Sequence, residues 1–265
     1  MKFTGPISKM ISVFTSPIQY HLPVGQGRVY MNDLIGQQIS ITWLGQIHCM
    51  NCGSLTNKSF AQGYCYPCFI SIPETEECVL NPEMCRAHEG IARDMEYALE
   101  NCLQDHIVYL ALTSKVKVGV TRHSQIPTRW IDQGAWKAIK LAITSNRYQA
   151  GIIEVALKNH LTDKTNWRDM LRNITDNTVS LVEEKKKISL LIPQDLIESL
   201  SSDDTVLELN YPYTDVQQKI TSLSFDKQPL VKGILIGIKG QYLIFKGGNV
   251  INIRKFGGYD VELDF

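Results

Sequence analysis

Four cysteines stand in two pairs, HCMNC and YCYPC, giving Cys49-x2-Cys52, twelve residues, then Cys65-x2-Cys68. A Cys-x-x-Cys pair presents two thiolates to one ion from a tight turn. Two such pairs complete a tetrahedral four-sulfur site with no position left for a substrate, so the expected ion is a structural zinc. Gly53 suits the turn after Cys52, where a left-handed backbone is common. Farther on, Cys78, Cys85, His88 and Cys102 form a second candidate zinc set, with ligand spacing in Cys85-x2-His88. The plainer reading of Cys102 is a small core residue on a helix. His106, just before a strand, reads as structural.

A second chemistry is written in VYLALTSKVKVGVTRHSQIPTRW, residues 108–130. Val108–Leu112 and Val116–Thr121 read as two strands joined by a polar turn. Alternation puts Val116, Val118 and Val120 on one face, and Lys117, Gly119 and Thr121 on the other. Tyr109 falls on that second face, so a tyrosine, a lysine and a glycine are expected to meet on an exposed patch. Arg122 leaves the strand end, Arg129 opens the next helix, and Glu154 sits on a later one. Cleaving a phosphodiester needs neutralised phosphoryl oxygens, an activated water and a stabilised leaving oxygen. Arg122 and Arg129 can clamp a phosphate, Tyr109 can orient water, and Glu154 can hold Mg²⁺ or Mn²⁺. Arg147 and Lys164 would extend a basic rim. The plain alternative pairs Arg129 with Asp132 and leaves Glu154 an ordinary helical charge.

These residues need a scaffold, and 265 residues are enough to bury a core. A hydrophobic content of 44% with 20% charged residues is globular. Lysine plus arginine and aspartate plus glutamate balance at 27 each, so any nucleic-acid contact must come from a local patch. The opening MKFTGPISKM has no apolar core of signal-peptide length, and no stretch approaches the roughly 20 apolar residues of a membrane span. A soluble, cytoplasmic chain is expected, and its seven cysteines then point to metal rather than disulfides.

The expected fold is α+β in four segments: an N-terminal β segment (1–47), a zinc-binding segment (48–105), a mixed core (106–175) and a β-rich C-terminal domain (176–265). In the first, Ile39, Ile41 and Trp43 alternate with polar residues. In the second, a short helix fits near 91–103. The core reads β-β-α-α-α. Its first helix starts near Thr128 and runs through Trp130, Ala135, Ala138, Ile139 and Ala142. The second is GIIEVALKNHL, and Asn166 caps a short third. EEKKK at 183–187 reads as a solvated face. The two β-rich ends are expected to pair into one small barrel or sandwich. Lys239, Lys246, Arg254 and Lys255 interleave with Tyr242, Phe245 and Phe256 there, which fits either single-stranded nucleic acid or an ordinary amphipathic strand.

The motifs YCYPCF, NPEMC, HIVYLA, KVGVTR, IPTRWIDQGA, DKTNWRDML and GIKGQYLIF make nearly the whole chain similar to the DUF2797 family of uncharacterised bacterial proteins. Residues 106–170 also resemble the GIY-YIG nuclease fold, nearest the branch with Lys-Ile-Gly-x-Thr in its second strand. That resemblance implies a metal-dependent, DNA- or RNA-cleaving core. It assigns Tyr109 to the first-motif tyrosine, Gly119 to the second-motif glycine, Arg129 to the helical arginine and Glu154 to the metal-binding glutamate. Lys117 stands where the family has a second tyrosine that helps activate water. A lysine kept cationic can only hold phosphate. Burial or a nearby positive charge, such as Arg122, would be needed to make it a base. Three readings stay open: a nuclease, a non-catalytic DNA- or RNA-binding module, and a zinc-ribbon protein-interaction scaffold.

Overall fold

A computed structural model describes residues 1–161, 166–176 and 178–265. The chain forms two compact units, one built from residues 1–70 and 210–265, the other from 71–209. In chain order the elements begin with strands β1 (Lys2–Pro6), β2 (Ile11–Val13), β3 (Gln19–Val24), β4 (Gly27–Tyr30) and β5 (Gln38–Ile47), then helix α1 (Tyr66–Ser71). The second unit follows with α2 (Met95–Asn101), β6 (His106–Leu112), β7 (Val116–Arg122), α3 (Thr128–Asp132), β8 (Lys137–Thr144), α4 (Arg147–Lys158), α5 (Trp167–Leu171), α6 (Leu181–Ser189) and β9 (Leu207–Glu208). The chain closes with β10 (Thr221–Ser222), β11 (Leu230–Lys239), β12 (Tyr242–Phe245), β13 (Asn249–Asn252) and β14 (Tyr259–Asp264).

In the first unit, strands from both ends of the chain share a seven-stranded sheet of order β1-β14-β5-β11-β12-β13-β10. Its register places Phe3 opposite Leu263, Leu263 opposite Ile41, and Ile41 opposite Val231. Ile39 and Ile41 are buried as their alternation requires. A separate small sheet joins β2, β3 and β4. The described strands form open sheets, and no barrel closes. Phe245 and Phe256 are buried, as is Lys239, which lies 5.2 Å from the Tyr211 ring centroid. Phe245 and Phe256 are therefore core, whereas Tyr242 is half-buried.

The second unit holds an antiparallel sheet of order β7-β6-β8-β9. Here one expected helix is wrong beyond Asp132. Gly134, at φ +70°, ends α3, and Lys137–Thr144 is a strand paired with both β6 and β9. Ala135, Ala138, Ile139 and Ala142 happen to recur at helical spacing. The strand is nonetheless interior, with Ala138, Ile139, Leu141 and Ala142 all buried, so apolar residues on both faces hide the two-residue period. EEKKK needs a smaller correction. Glu183–Lys186 and Glu184–Lys187 are exposed pairs, but Lys185 turns inward to the Asp203 carbonyl at 2.8 Å and Asp204 at 2.8 Å.

Helix α4 is fixed at its start by Asn146, whose side chain accepts from the Gln149 N–H at 3.0 Å. Ala150, Ile153 and Leu157 pack on Val108, Leu110 and Val118 of the sheet and on Leu181 and Ile188 of α6. Burying a side chain such as Ile153 or Leu157 stabilises by about 1.5–3 kcal/mol. Gly151 meets the backbone of the preceding segment: a Cβ there would lie 2.1 Å from the Glu83 nitrogen and 2.4 Å from the Pro82 carbonyl carbon. Gly to Ala inside a helix normally stabilises by about 1 kcal/mol. Gly151→Ala is expected to do the reverse, by roughly 1–3 kcal/mol of overpacking. A lower thermal midpoint checks this, and a raised one would refute it.

Candidate functional site

Strand β7 lies at the edge of its sheet, and a cavity of about 170 Å³ opens beside it. At about 30 Å³ of liquid per water, that is room for a small anion and a few waters. Tyr109, Lys117, Gly119, Arg129, Gln133 and Glu154 line it, under a roof of Val79, Leu80 and Pro82. The expected exposed patch is therefore a recess that stays partly open: Tyr109 is fully buried and Lys117 is 8% exposed, whereas Arg129, Gln133 and Glu154 are half-buried. The roof segment, α3 and α4 supply the cover, and their approach could not be read from the period of two strands.

Tyr109 and Gly119 are paired across the β6–β7 ladder. The phenol lies over Gly119, where a Cβ would come within 2.6 Å of its oxygen, so the glycine makes room for the tyrosine. Gln133 Nε2 donates to the Tyr109 hydroxyl at 2.7 Å, and the charge of Arg129 acts on it. Burial raises the Tyr109 pKa, so the hydroxyl stays protonated. Burial, then the charge of Arg129, lowers Lys117 to about 8, against an opposing pull from Glu154. Burial also raises Glu154, helped by the Glu83 charge, while Lys158 at 3.7 Å lowers it. Glu83 Oε2 is buried with no hydrogen-bond partner among the described residues.

Other expected members lie elsewhere. Arg122 donates to Asn101 Oδ1 and does not line the cavity, so Arg129, not Arg122, acts on Lys117. Arg147 is buried, and its guanidinium donates to the Asn101 carbonyl at 3.0 Å and the Cys78 carbonyl at 3.4 Å, with Cys78 Sγ at 3.7 Å. It serves the second cysteine group rather than a basic rim. Lys164 lies outside the described residues. The roof residues carried no sequence signal, being apolar residues between cysteines. Gln133 did, since it stands one turn beyond Arg129.

The first cysteine group forms as its spacing requires. Cys49, Cys52, Cys65 and Cys68 bring their sulfurs within 4.8 Å of one another. Cys52 and Cys65 are 3.8 Å apart, and a tetrahedron with zinc–sulfur bonds near 2.3 Å has edges of about 3.8 Å. The Gly53 N–H closes the first turn onto the Cys49 carbonyl at 2.9 Å with φ +73°, and the Phe69 N–H closes the second onto Cys65 at 2.9 Å. Asn51 Nδ2 lies 3.3 Å from Cys68 Sγ, a donor suited to a thiolate. In the second group, the sulfurs of Cys78, Cys85 and Cys102 also lie within 4.8 Å, all three buried. His88 is not brought into that group. Its ring stacks on Tyr148 at 4.4 Å. Both groups could hold zinc. Among the described residues no helix is long and apolar enough to cross a membrane.

No curated protein and no solved structure matches the chain. A family model does, over residues 36–261, spanning one cysteine group, the cavity and the other cysteine group together. The chain therefore belongs to DUF2797, a family described as proteins of unknown function.

Proposed function

We propose that this protein is a zinc-containing, metal-dependent nuclease that cleaves phosphodiesters at the β7 edge. One observation carries the reading. Tyr109, Lys117, Arg129 and Glu154, scattered over 46 positions of sequence, line a single polar cavity with Gly119. Tyr109, Gly119, Arg129 and Glu154 are the positions at which the core resembles GIY-YIG nucleases, and Lys117 is the one at which it departs from them.

Each residue has a task its surroundings suit. Arg129 binds the phosphoryl oxygens with a planar, permanently charged fork. Tyr109 accepts from Gln133, which leaves its own hydrogen to offer to a phosphoryl oxygen or to water. Lys117, lowered to about 8, is partly neutral under mildly alkaline conditions and can take the proton of an attacking water. It thus fills the role of the missing tyrosine. Glu154 suits a divalent cation, and the charge of Glu83, which has a buried oxygen with no hydrogen-bond partner among the described residues, acts on Glu154. Mg²⁺ or Mn²⁺ held there would neutralise charge on the leaving oxygen.

The test is a cleavage and binding assay on single- and double-stranded DNA and RNA, with Mg²⁺ or Mn²⁺. Cleavage that falls at least a hundredfold in Glu154→Gln is expected, since one positioned electrostatic or acid–base group is worth about 10²–10³. Arg129→Ala is expected to weaken binding of every substrate by a similar small factor, because phosphate contacts carry no sequence information. Binding without cleavage would make the core a recognition module. No affinity for any nucleic acid would overturn both readings and leave the zinc-ribbon scaffold.

A further inference from the structure

We propose that Cys78, Cys85 and Cys102 hold a zinc ion that clamps the roof of the cavity, so that this metal site positions the β7-edge site. Three buried sulfurs within 4.8 Å of one another, none in a disulfide, match the donor set of a thiophilic dication. They are three protein donors and leave one coordination position. Three thiolates on a dication carry one net negative charge. Arg147 is the buried counter-charge, its guanidinium 3.7 Å from Cys78 Sγ.

The connection to the cavity is continuous. Cys78 and Cys85 bracket residues 79–84, and Val79, Leu80 and Pro82 of that loop are the roof. Cys102 closes α2, and its carbonyl accepts the Arg147 N–H at 2.8 Å, which ties the start of α4 to the same cluster. One turn along α4, Gly151 seats against the Pro82–Glu83 backbone. Glu154 follows on the same helix face, close enough to Glu83 for that charge to act on it. An ion joining the two ends of the loop to the end of α2 thus fixes the roof over Lys117 and the distance between the two carboxylates. Cys78, Cys85, Cys102 and Arg147 are positioning residues. None of them lines the cavity.

That the cavity is a reaction site rests on the function proposed above, so the test reads metal and geometry, not cleavage. Zinc per chain is measured by native mass spectrometry. Two ions in the wild type are expected, one in Cys85→Ser and one in Cys65→Ser. A single ion that Cys85→Ser leaves in place overturns the site. Acylation of Lys117 by an amine-reactive ester, mapped by mass spectrometry, reads the roof. At least tenfold faster labelling is expected in Cys85→Ser, with Cys65→Ser near wild type. Loss of the ion without faster labelling overturns the clamp. Should Cys85→Ser fail to fold, metal-free wild type titrated with Co²⁺ gives the same answer. Two equivalents are expected to develop thiolate-to-cobalt charge-transfer absorbance, with Lys117 protection following one of them. Saturation at one equivalent, or a bound second equivalent without protection, overturns the proposal.

Discussion

Lys117→Met is expected to abolish cleavage while making the chain harder to unfold. The two effects share one cause. Folding buries the ammonium beside Arg129, which lowers its pKa from 10.5 to about 8. Because the folded value is the lower one, the cost to stability is fully present below about pH 8. It fades as pH rises toward 10.5. At neutral pH the difference corresponds to something on the order of 3 kcal/mol, which a well-packed methionine would recover. The same shift makes the lysine a usable base. The wild-type rate should climb with pH and level off above about 8, because the neutral amine is the working form. Lys117→Met should lose this limb along with roughly 10²–10⁴ of rate. Lys117→Arg separates the two roles left open by the sequence: a charge that holds phosphate survives that change, but a base does not. Near-wild-type turnover in Lys117→Arg would assign the position to binding alone. A less stable Lys117→Met would show that the buried amine is not under strain.

The cysteines were legible because metal geometry is written in short spacings that local turns satisfy, as at Cys49–Gly53. Tyr109, Lys117 and Gly119 were legible as one face because a hairpin fixes its own register. What the face would meet was not legible. Whether Tyr109 ends in water or in a cavity depends on Pro82 and Glu83 lying against Gly151, a contact between segments nearly 70 residues apart. The same limit explains Arg122 and Arg147. Each is an arginine at the right distance from a strand or helix end, and each turns toward Asn101 instead. Strand β8 buries Ala138 and the adjacent Ile139, which alternation places on opposite faces, and Leu141 and Ala142 as well, so no wholly polar face was left to betray a strand. Periodicity reports the boundary between core and solvent. It falls silent on an element that has no such boundary.

Cys65→Ser is expected to release one zinc ion per chain and to unfold residues 48–70 locally. The ties of this segment to its neighbours are few, His48 N–H to the Gly258 carbonyl at 2.7 Å and Arg254 to Gln62 at 2.9 Å among them; its sulfurs occupy the position a hydrophobic core would otherwise take, and Leu55, Tyr66 and Ile70 are exposed around them. Most backbone bonds within it are short-range, such as Phe60 to Tyr64 at 2.8 Å, with Met50 to Gly63 at 2.7 Å the longer link. Such turns do not persist without an anchor. Binding of a structural zinc supplies roughly 10–16 kcal/mol in isolated zinc-finger peptides, so its loss outweighs any single side-chain substitution. Proteolysis should then cut Cys65→Ser within 48–70 at protease levels that leave the wild type whole, and a chelator should sensitise the wild type in the same place. The effect should stay local, because Ile39, Ile41, Val231 and Leu263 of the adjoining strands are buried without help from the metal. Global unfolding would mean that the zinc nucleates the whole sheet. Unchanged zinc content would mean that the Cys-x-x-Cys pairs are buried thiols and that the strongest pattern in the sequence is not a metal site.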